Sequence, residues 1–220
     1  LFDLMKVTDF VKDEIIIEGL KDGKRVYQIK EGSKTSTIKL PLQNNINRLS
    51  KGDREKLDTV NNFYNNVRYL YDIKLYGKKD YWATPWEFLG KDKGDCEDYV
   101  IAKYFSLIQA GVEQQKLRIT YVKALKLNQA HMVLAYYATP KSDPLILDNI
   151  NPNILPASKR RDLAPVYSFN GMGMWIERQQ GGSIKVGSPN RLSRWMDVLL
   201  RMQQQGLQPW LDLPASQLTQ

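Results

Sequence analysis

The chain has 220 residues, of which 42% are hydrophobic and 10% aromatic, a composition typical of a folded globular protein with one substantial core and not of a disordered chain. Its net charge of +8 would attract acidic partners, but the basic residues are spread along the chain and the densest run, SKRRD at 158–162, is short. We therefore expect a solvated basic surface and no nucleic-acid site.

The scarcity of two residue types limits the possible chemistry. One cysteine and one histidine exclude an internal disulfide, a multi-cysteine zinc site and a histidine-rich metal site. No apolar stretch approaches the roughly 20 residues that a membrane helix needs, so we expect no direct membrane insertion.

The first part of the chain has a strand pattern. Residues 13–32 (DEIIIEGLKDGKRVYQIKEG) contain two β-rich runs separated by a DG dipeptide, which predicts a hairpin. The next residues (TSTIKLPLQNN) lead to a polar stretch. We interpret residues 1–45 as an N-terminal extension or small β annex, 46–207 as the main domain and 208–220 as a C-terminal tail.

Helical patterns follow. Ser50 or Asp53 can cap a first helix, and apolar residues recur at helical spacing at Leu57, Val60, Phe63, Val67 and Leu70. Residues 81–94 (YWATPWEFLGKDKG) are aromatic and contain a proline and two glycines, so we expect irregular structure there. Residues 96–110 have the pattern of a helix, and Gly111 is suited to follow its end.

Strand patterns dominate the second half. Three β-rich runs lie at 116–125, 130–138 and 144–150, and shorter ones at 165–170 and 173–177. Because the helices come first and the strands later, with turn-length connections, we predict an α+β protein with an antiparallel sheet.

The last predicted element is a helix. Ser188 and Pro189 form a suitable cap and first-turn pair, and Gly206 lies beyond the apolar pattern. One face of this helix is apolar and consists of Leu192, Trp195, Leu199 and Met202.

Three residues with complementary chemistry occur in this pattern. Cys96 opens a predicted helix, where backbone N–H groups and the helix dipole stabilise a thiolate. His131 lies near the start of the second strand run and Asp148 near the end of the third. If these strands are neighbours, a cysteine nucleophile, a histidine base and an acidic orienting group satisfy the logic of a catalytic triad. Taken singly, each residue has a plain structural alternative: a buried thiol, a core imidazole or a strand terminus.

The surroundings of the cysteine oppose this chemistry. Asp95, Glu97 and Asp98 flank Cys96, and negative neighbours raise the pKa of a thiol and so reduce its thiolate fraction. One explanation is that the acidic residues cap the helix and complement its dipole.

Four segments make the chain resemble a known family. They are YWATPWEFLGKDKGDCEDYVIAKYFSL, KLRITYVKAL, AHMVLAYY and LSRWMDVL, and they closely resemble the bacterial transglutaminase-like cysteine proteinases of the LapG type. The resemblance extends from about Leu57 to Gly206. It implies a papain/transglutaminase-like fold, with a helical lobe and a catalytic cysteine at a helix start packed on an antiparallel sheet.

The resemblance also implies a function. It implies a Cys96–His131–Asp148 triad in a periplasmic, calcium-dependent endopeptidase. No signal-peptide pattern opens the sequence, so we expect the mature form of the protein. The implied substrate is the N-terminal region of a large LapA-type surface adhesin, cut at a pair of alanines so that the adhesin is released and the biofilm disperses. The implied regulator is the periplasmic domain of a LapD-type receptor for cyclic di-GMP.

The same resemblance ranks the site residues. Asp95 and Glu97 are the first expected calcium ligands, and Asp98 is the next, because their hard oxygen atoms suit Ca²⁺. The Cys96 backbone N–H is the natural oxyanion donor, and Trp82 is a candidate for a second. Two alternatives stay open: a transglutaminase or amidase on the same scaffold, and a binding module that has lost activity.

Overall fold

The computed structural model describes three strands within residues 14–41 and then residues 52–177 and 182–205. The three strands form an antiparallel sheet in the order β1-β2-β3. Their bounds are Glu14–Lys21 (β1), Lys24–Glu31 (β2) and Lys34–Pro41 (β3). The predicted hairpin is thereby confirmed, while its DG dipeptide lies outside the described residues and β3 was not predicted.

Five α-helices are described. They are α1 (Gly52–Tyr64), α2 (Asp72–Leu75), α3 (Pro85–Lys91), α4 (Cys96–Gln109) and α5 (Ser193–Gln204). The predictions for α1 and α4 are confirmed, although Val67 and Leu70 lie beyond the end of α1, and Asp53 lies inside its first turn and not at its cap. Ser50 lies outside the described residues. Among the described residues, no helix has the length and apolar character needed to cross a membrane.

The prediction of irregular structure at residues 81–94 was wrong for its central part. Thr84 and Glu87 form a reciprocal capping box, in which each side chain accepts a hydrogen bond from the other residue's backbone N–H, and Pro85 occupies the first helical position. These features together start a helix efficiently. The helix stops at Asp92, whose backbone is left-handed with φ of 49°.

The start of the last helix also differs from the prediction. Ser188 caps a short 3-10 turn, Pro189–Arg191, and α5 begins only at Ser193. Leu192 is therefore the residue before the helix and not part of its apolar face. The other predicted core residues, Trp195, Leu199 and Met202, are buried.

Two of the remaining strands form a short parallel pair, and the other seven form the main sheet in the order β12-β11-β10-β6-β7-β8-β9. The pair consists of β4 (Arg68–Tyr69) and β5 (Lys93–Gly94). The main sheet consists of β6 (Leu117–Ala124), β7 (Gln129–Tyr136), β8 (Leu145–Leu147), β9 (Leu155–Pro156), β10 (Leu163–Asn170), β11 (Gly173–Glu177) and β12 (Ser183–Gly187). Its pairings are antiparallel, as predicted. The sequence patterns missed β9 and β12.

The main core lies between the helices and the sheet. Helix α4 is buried along almost its whole length because α1, α3 and the sheet strands β6 and β7 pack around it. Trp195 of α5 stacks on Phe105 of α4 with ring centroids 5.6 Å apart. Each such fully buried large side chain contributes about 1.5–3 kcal/mol through burial. The cysteine at the start of α4 is therefore held on a rigid central element.

Gly94 fixes the approach to that cysteine. It pairs with Tyr69 across β4 and β5, and its carbonyl oxygen accepts a hydrogen bond from Leu70 N–H. A Cβ atom on Gly94 would lie 2.5 Å from Asp98 Oδ2 and 2.6 Å from the Phe88 ring. Only glycine fits at this position without displacing one of these groups.

We expect Gly94→Ala to lower the free energy of unfolding by about 2 kcal/mol or more, because the added methyl group overpacks a rigid site. Gly77→Ala is the control: no atom lies within 4 Å of its added Cβ, although φ is 67°, so its loss should be about 1 kcal/mol. Urea unfolding measures both values. Equal losses would contradict the steric argument.

Candidate active site and cation cluster

Cys96 is the first residue of α4, and its side chain is partly exposed. The thiol donates a hydrogen bond to Glu97 Oε2 at 3.0 Å. Burial and the Glu97 charge raise the pKa of the thiol well above its ordinary value, and a hydrogen bond from the Met132 backbone acts in the opposite direction. That backbone N–H belongs to the residue that follows His131 in β7.

His131 and Asp148 are in direct contact. Strand β8 pairs with β7, and Asp148 follows the last residue of β8. His131 Nε2 lies 2.8 Å from Asp148 Oδ1, and both residues are buried. Because Nε2 is occupied by the carboxylate, Nδ1 is the ring nitrogen left to exchange a proton with a nucleophile. The structure thus brings the predicted base and orienting group together.

Asp148 has a cationic partner that the sequence analysis did not identify. Arg160 Nη2 lies 2.7 Å from Asp148 Oδ2, and both side chains are nearly inaccessible to solvent. Burial alone would raise the pKa of Asp148, but hydrogen bonds from His131, the Ile150 backbone and Arg160 lower it to about 2. The carboxylate is therefore ionised at neutral pH. Arg160 belongs to the SKRRD run. The sequence analysis expected the basic residues to form a solvated surface, so it did not identify Arg160 as a buried arginine.

A buried lysine connects the nucleophile helix to the loop that carries Asp148. Lys103 of α4 is fully buried and donates hydrogen bonds to Asn61 Oδ1 at 2.9 Å and Asn65 Oδ1 at 2.7 Å. Asn65 in turn donates to the Asp148 carbonyl oxygen, and Asn61 to that of Pro152. Burial lowers the pKa of Lys103 to about 7. This network fixes the backbone on both sides of the helix–loop contact.

A cluster of three carboxylates lies at the start of α4. Asp72, Asp95 and Glu97 are buried and each offers an oxygen atom within 4.8 Å of the others. Asp72 is brought close by the β4–β5 pair, and its backbone N–H donates to Asp95 Oδ2 at 3.3 Å. We call these three residues the acidic cluster.

The acidic cluster has the properties expected of a hard-cation site. Asp72 Oδ1 and Asp95 Oδ1 are buried without a hydrogen-bond partner, and buried polar atoms are rarely left unsatisfied. Within residues 52–177 and 182–205, no lysine or arginine forms an ion pair with any of the three. Carboxylate oxygens without a basic partner suit a hard divalent cation, whose other ligands come from backbone or water.

The electrostatics of the acidic cluster agree with this interpretation. Burial, reinforced by the charge of Glu97, raises the pKa of Asp95 to about 8. Burial likewise raises the pKa of Glu97 to about 7 and that of Asp72 to about 6. These shifts are expected when like charges are confined together away from water.

Asp98, the third predicted ligand, has a different role from Asp95 and Glu97. Its Oδ1 accepts the Ala83 N–H at 2.8 Å and its Oδ2 accepts the Asp95 N–H at 3.2 Å. It thereby satisfies the amide of the residue that precedes the helix, which is the capping alternative raised by the sequence. Asp72, and not Asp98, is the third member of the acidic cluster, and calcium binding by Asp98 stays a prediction. No local pattern identified Asp72, because it lies 23 residues before Asp95.

Trp82 packs in the core. Its ring stacks on Phe169 with centroids 5.9 Å apart, and its carbonyl oxygen accepts a hydrogen bond from Arg201. Its role as a second oxyanion donor therefore stays a prediction. The Cys96 backbone N–H lies at the helix start and stays the predicted first donor.

Comparison with known proteins agrees with this site. The sequence profile of the bacterial transglutaminase-like cysteine proteinases (BTLCP) matches residues 33–168, a range that contains Cys96, His131 and Asp148. Comparison with curated protein sequences gives no significant match.

Solved structures of LapG from Legionella pneumophila are similar to the chain, with 43% sequence identity over 73% of its length. The TM-scores are 0.65 for an EGTA-treated form, 0.64 for LapG without further designation and 0.63 for a calcium-bound form. The alignments cover 86%, 85% and 87% of the respective LapG chains. They confirm the transglutaminase-like α+β fold. The chain therefore belongs to the bacterial transglutaminase-like cysteine proteinases and is a cysteine peptidase of the LapG type.

Proposed function

We propose that this peptidase is a calcium-dependent periplasmic endopeptidase that cleaves the N-terminal region of a large surface adhesin at a pair of alanines. The observation that carries the proposal is the buried His131–Asp148 contact, together with a Cys96 sulfur that is hydrogen-bonded to the Met132 backbone next to His131 and to Glu97 of the acidic cluster. The likeness to LapG over most of both chains supports the substrate class.

The catalytic roles follow from the positions of the side chains. The Cys96 thiol transfers its proton to His131 Nδ1, and the resulting thiolate attacks the carbonyl carbon of the scissile bond. His131 then protonates the departing amine, which leaves an acyl-thioenzyme. A water molecule, deprotonated by His131, hydrolyses the thioester and restores the thiol. Asp148 stabilises the imidazolium and fixes its orientation throughout, because its Oδ1 holds Nε2.

The acidic cluster determines whether the thiolate can form. With all three carboxylates ionised and no cation present, Glu97 accepts the thiol proton in a hydrogen bond and holds the sulfur protonated. Calcium bound there would supply the positive charge that cancels this effect. Asp72, Asp95 and Glu97 would hold the ion. The solved LapG structures include a calcium-bound form, which supports calcium as the ion.

The proposed biological setting follows the same family. Cleavage would release the adhesin from the outer membrane and disperse the biofilm. The periplasmic domain of a LapD-type receptor for cyclic di-GMP would bind the peptidase and hold it inactive. Small alanine side chains at the cut would suit a narrow cleft that excludes bulkier residues.

We expect purified protein with calcium to cut an adhesin N-terminal fragment at its di-alanine site, giving two products whose masses sum to that of the substrate plus one water. Mass spectrometry makes the measurement and also separates hydrolysis from amine transfer. Cys96→Ala should give no products, and replacing both alanines by leucine should slow cleavage at least about tenfold. Cleavage by Cys96→Ala would contradict the mechanism, and addition of the receptor's periplasmic domain should suppress cleavage by the native protein.

The calcium proposal predicts a specific pH dependence of stability. In calcium-free protein, the carboxyls of the acidic cluster have folded-state pKa values of about 6 to 8, above the ordinary value of about 4. The folded state therefore binds more protons than the unfolded state. The stabilisation that comes from protonating these carboxyls is complete below about pH 4 and is lost as pH rises through 8. We expect the Tm of EGTA-treated protein to fall between pH 5 and 8. Calcium should raise the Tm more at pH 8 than at pH 6, by calorimetry, since it binds the deprotonated groups.

Two variants test whether this effect arises in the acidic cluster. Asp72→Asn should reduce the calcium-dependent rise in Tm, whereas Asp58→Asn should retain it, because Asp58 forms an exposed ion pair with Arg54 on α1 instead. A calcium effect that is the same at both pH values, or is matched by magnesium, would contradict the assignment.

A further inference from the structure

We propose that Arg160 is a positioning residue of the peptidase: its guanidinium fixes the Asp148 carboxylate so that Oδ1 faces His131. The proposal rests on the triad roles given above and adds a fourth side chain on which the geometry of the triad depends.

The first argument is that the two carboxylate oxygens of Asp148 bond to different partners. Asp148 Oδ1 lies 2.8 Å from His131 Nε2 and accepts the Ile150 N–H at 2.9 Å. Oδ2 accepts Arg160 Nη2 at 2.7 Å. Each oxygen therefore has its own partners. A rotation of the carboxylate that moved Oδ1 away from the imidazole would break the Arg160 bond as well.

The second argument is that Arg160 is itself immobilised. Its Nε and Nη2 donate to the two carboxylate oxygens of Asp162 at 3.0 and 2.8 Å, a paired geometry that arginine makes and lysine cannot. The side chain is only 3% exposed. Because the guanidinium is held by Asp162 from one side, it presents Nη2 to Asp148 from a fixed direction.

The third argument is that Asp162 is itself hydrogen-bonded to the end of β6, the strand that pairs with the histidine strand β7. The Asp162 carbonyl oxygen accepts the Leu125 N–H at 2.8 Å. Leu125 directly follows β6, which pairs along its whole length with β7 and places Val122 opposite His131. Asp148, Arg160, Asp162 and the β6–β7 hairpin thus form a closed frame around the imidazole–carboxylate contact.

The fourth argument is that water cannot substitute for the guanidinium. Asp148 is 1% exposed, so a lost Arg160 bond would leave Oδ2 buried and unsatisfied, and the carboxylate would reorient to relieve this. Among the described lysines and arginines, the other one whose charge acts on Asp148 is Lys103, whose ammonium is engaged by Asn61 and Asn65. It is therefore not available to replace Arg160.

The test uses the chain's one histidine as a spectroscopic reporter in the full-length protein. We expect NMR of the native protein to show a strongly downfield Nε2–H proton resonance from His131, because that proton lies in a hydrogen bond to a buried carboxylate. In Arg160→Met this resonance should shift upfield or broaden. With the di-alanine fragment as substrate, kcat should fall roughly tenfold to hundredfold while KM stays within about twofold.

The matched control is Arg161→Met. Arg161 is the exposed neighbour of Arg160, and its replacement should leave the resonance, kcat and KM unchanged. If Arg160→Met does not fold, Arg160→Lys keeps a cation without the paired geometry and should still shift the resonance.

Two results would overturn the proposal. One is an unchanged His131 resonance in the folded Arg160 variant, whatever happens to activity, since a purely structural role would leave that resonance in place. The other is an Arg160→Lys variant that equals the native protein in both resonance and kcat. Because the resonance is read without substrate, failure of the adhesin proposal would not be mistaken for failure of this one.

Discussion

The structure depends on the confinement of four carboxylates around the first turn of one buried helix. Asp72, Asp95, Glu97 and Asp98 are all withdrawn from water, and no lysine or arginine of the described chain forms an ion pair with them. Burying one ionised carboxylate without a partner is unfavourable by several kcal/mol, so the chain either neutralises these groups or gives them other donors. The way in which Asp98 is compensated differs from that of Asp72, Asp95 and Glu97.

Asp98 is satisfied by the backbone, and the acidic cluster is not. Two amide N–H groups, from Ala83 and Asp95, meet the oxygens of Asp98 and secure the start of α4. Gly94 is required beside it because no Cβ fits between Asp98 and Phe88. The unpartnered oxygens that remain belong to Asp72 and Asp95. Asp98 thus stabilises the start of the helix, whereas the three carboxylates of the acidic cluster lie close together without such backbone donors for all of their oxygens.

Much of this could be predicted from sequence, for identifiable physical reasons. The helix at Cys96 and the strands that carry His131 and precede Asp148 have strong periodicity, and their order gives the α+β class. The capping box at Thr84 was present in the sequence but was obscured by its aromatic neighbours and its proline. Asp72 and Arg160 could not be found in this way, because each reaches its partner through tertiary pairing: Asp72 through the parallel β4–β5 contact, and Arg160 through a turn after β9.

The two halves of the active site therefore solve the same electrostatic problem with different means. Asp148 is a buried carboxylate whose compensating charge is part of the chain, since Arg160 contacts it at 2.7 Å and its pKa stays near 2. The acidic cluster beside Cys96 has no such charge within the described chain, and its pKa values rise to between about 6 and 8. The imidazole–carboxylate half is thus preassembled by folding alone, whereas a cation that compensates the thiol half would have to come from solution. Because Glu97 belongs to the acidic cluster and also accepts the Cys96 thiol proton, any cation that satisfies the cluster acts directly on the nucleophile.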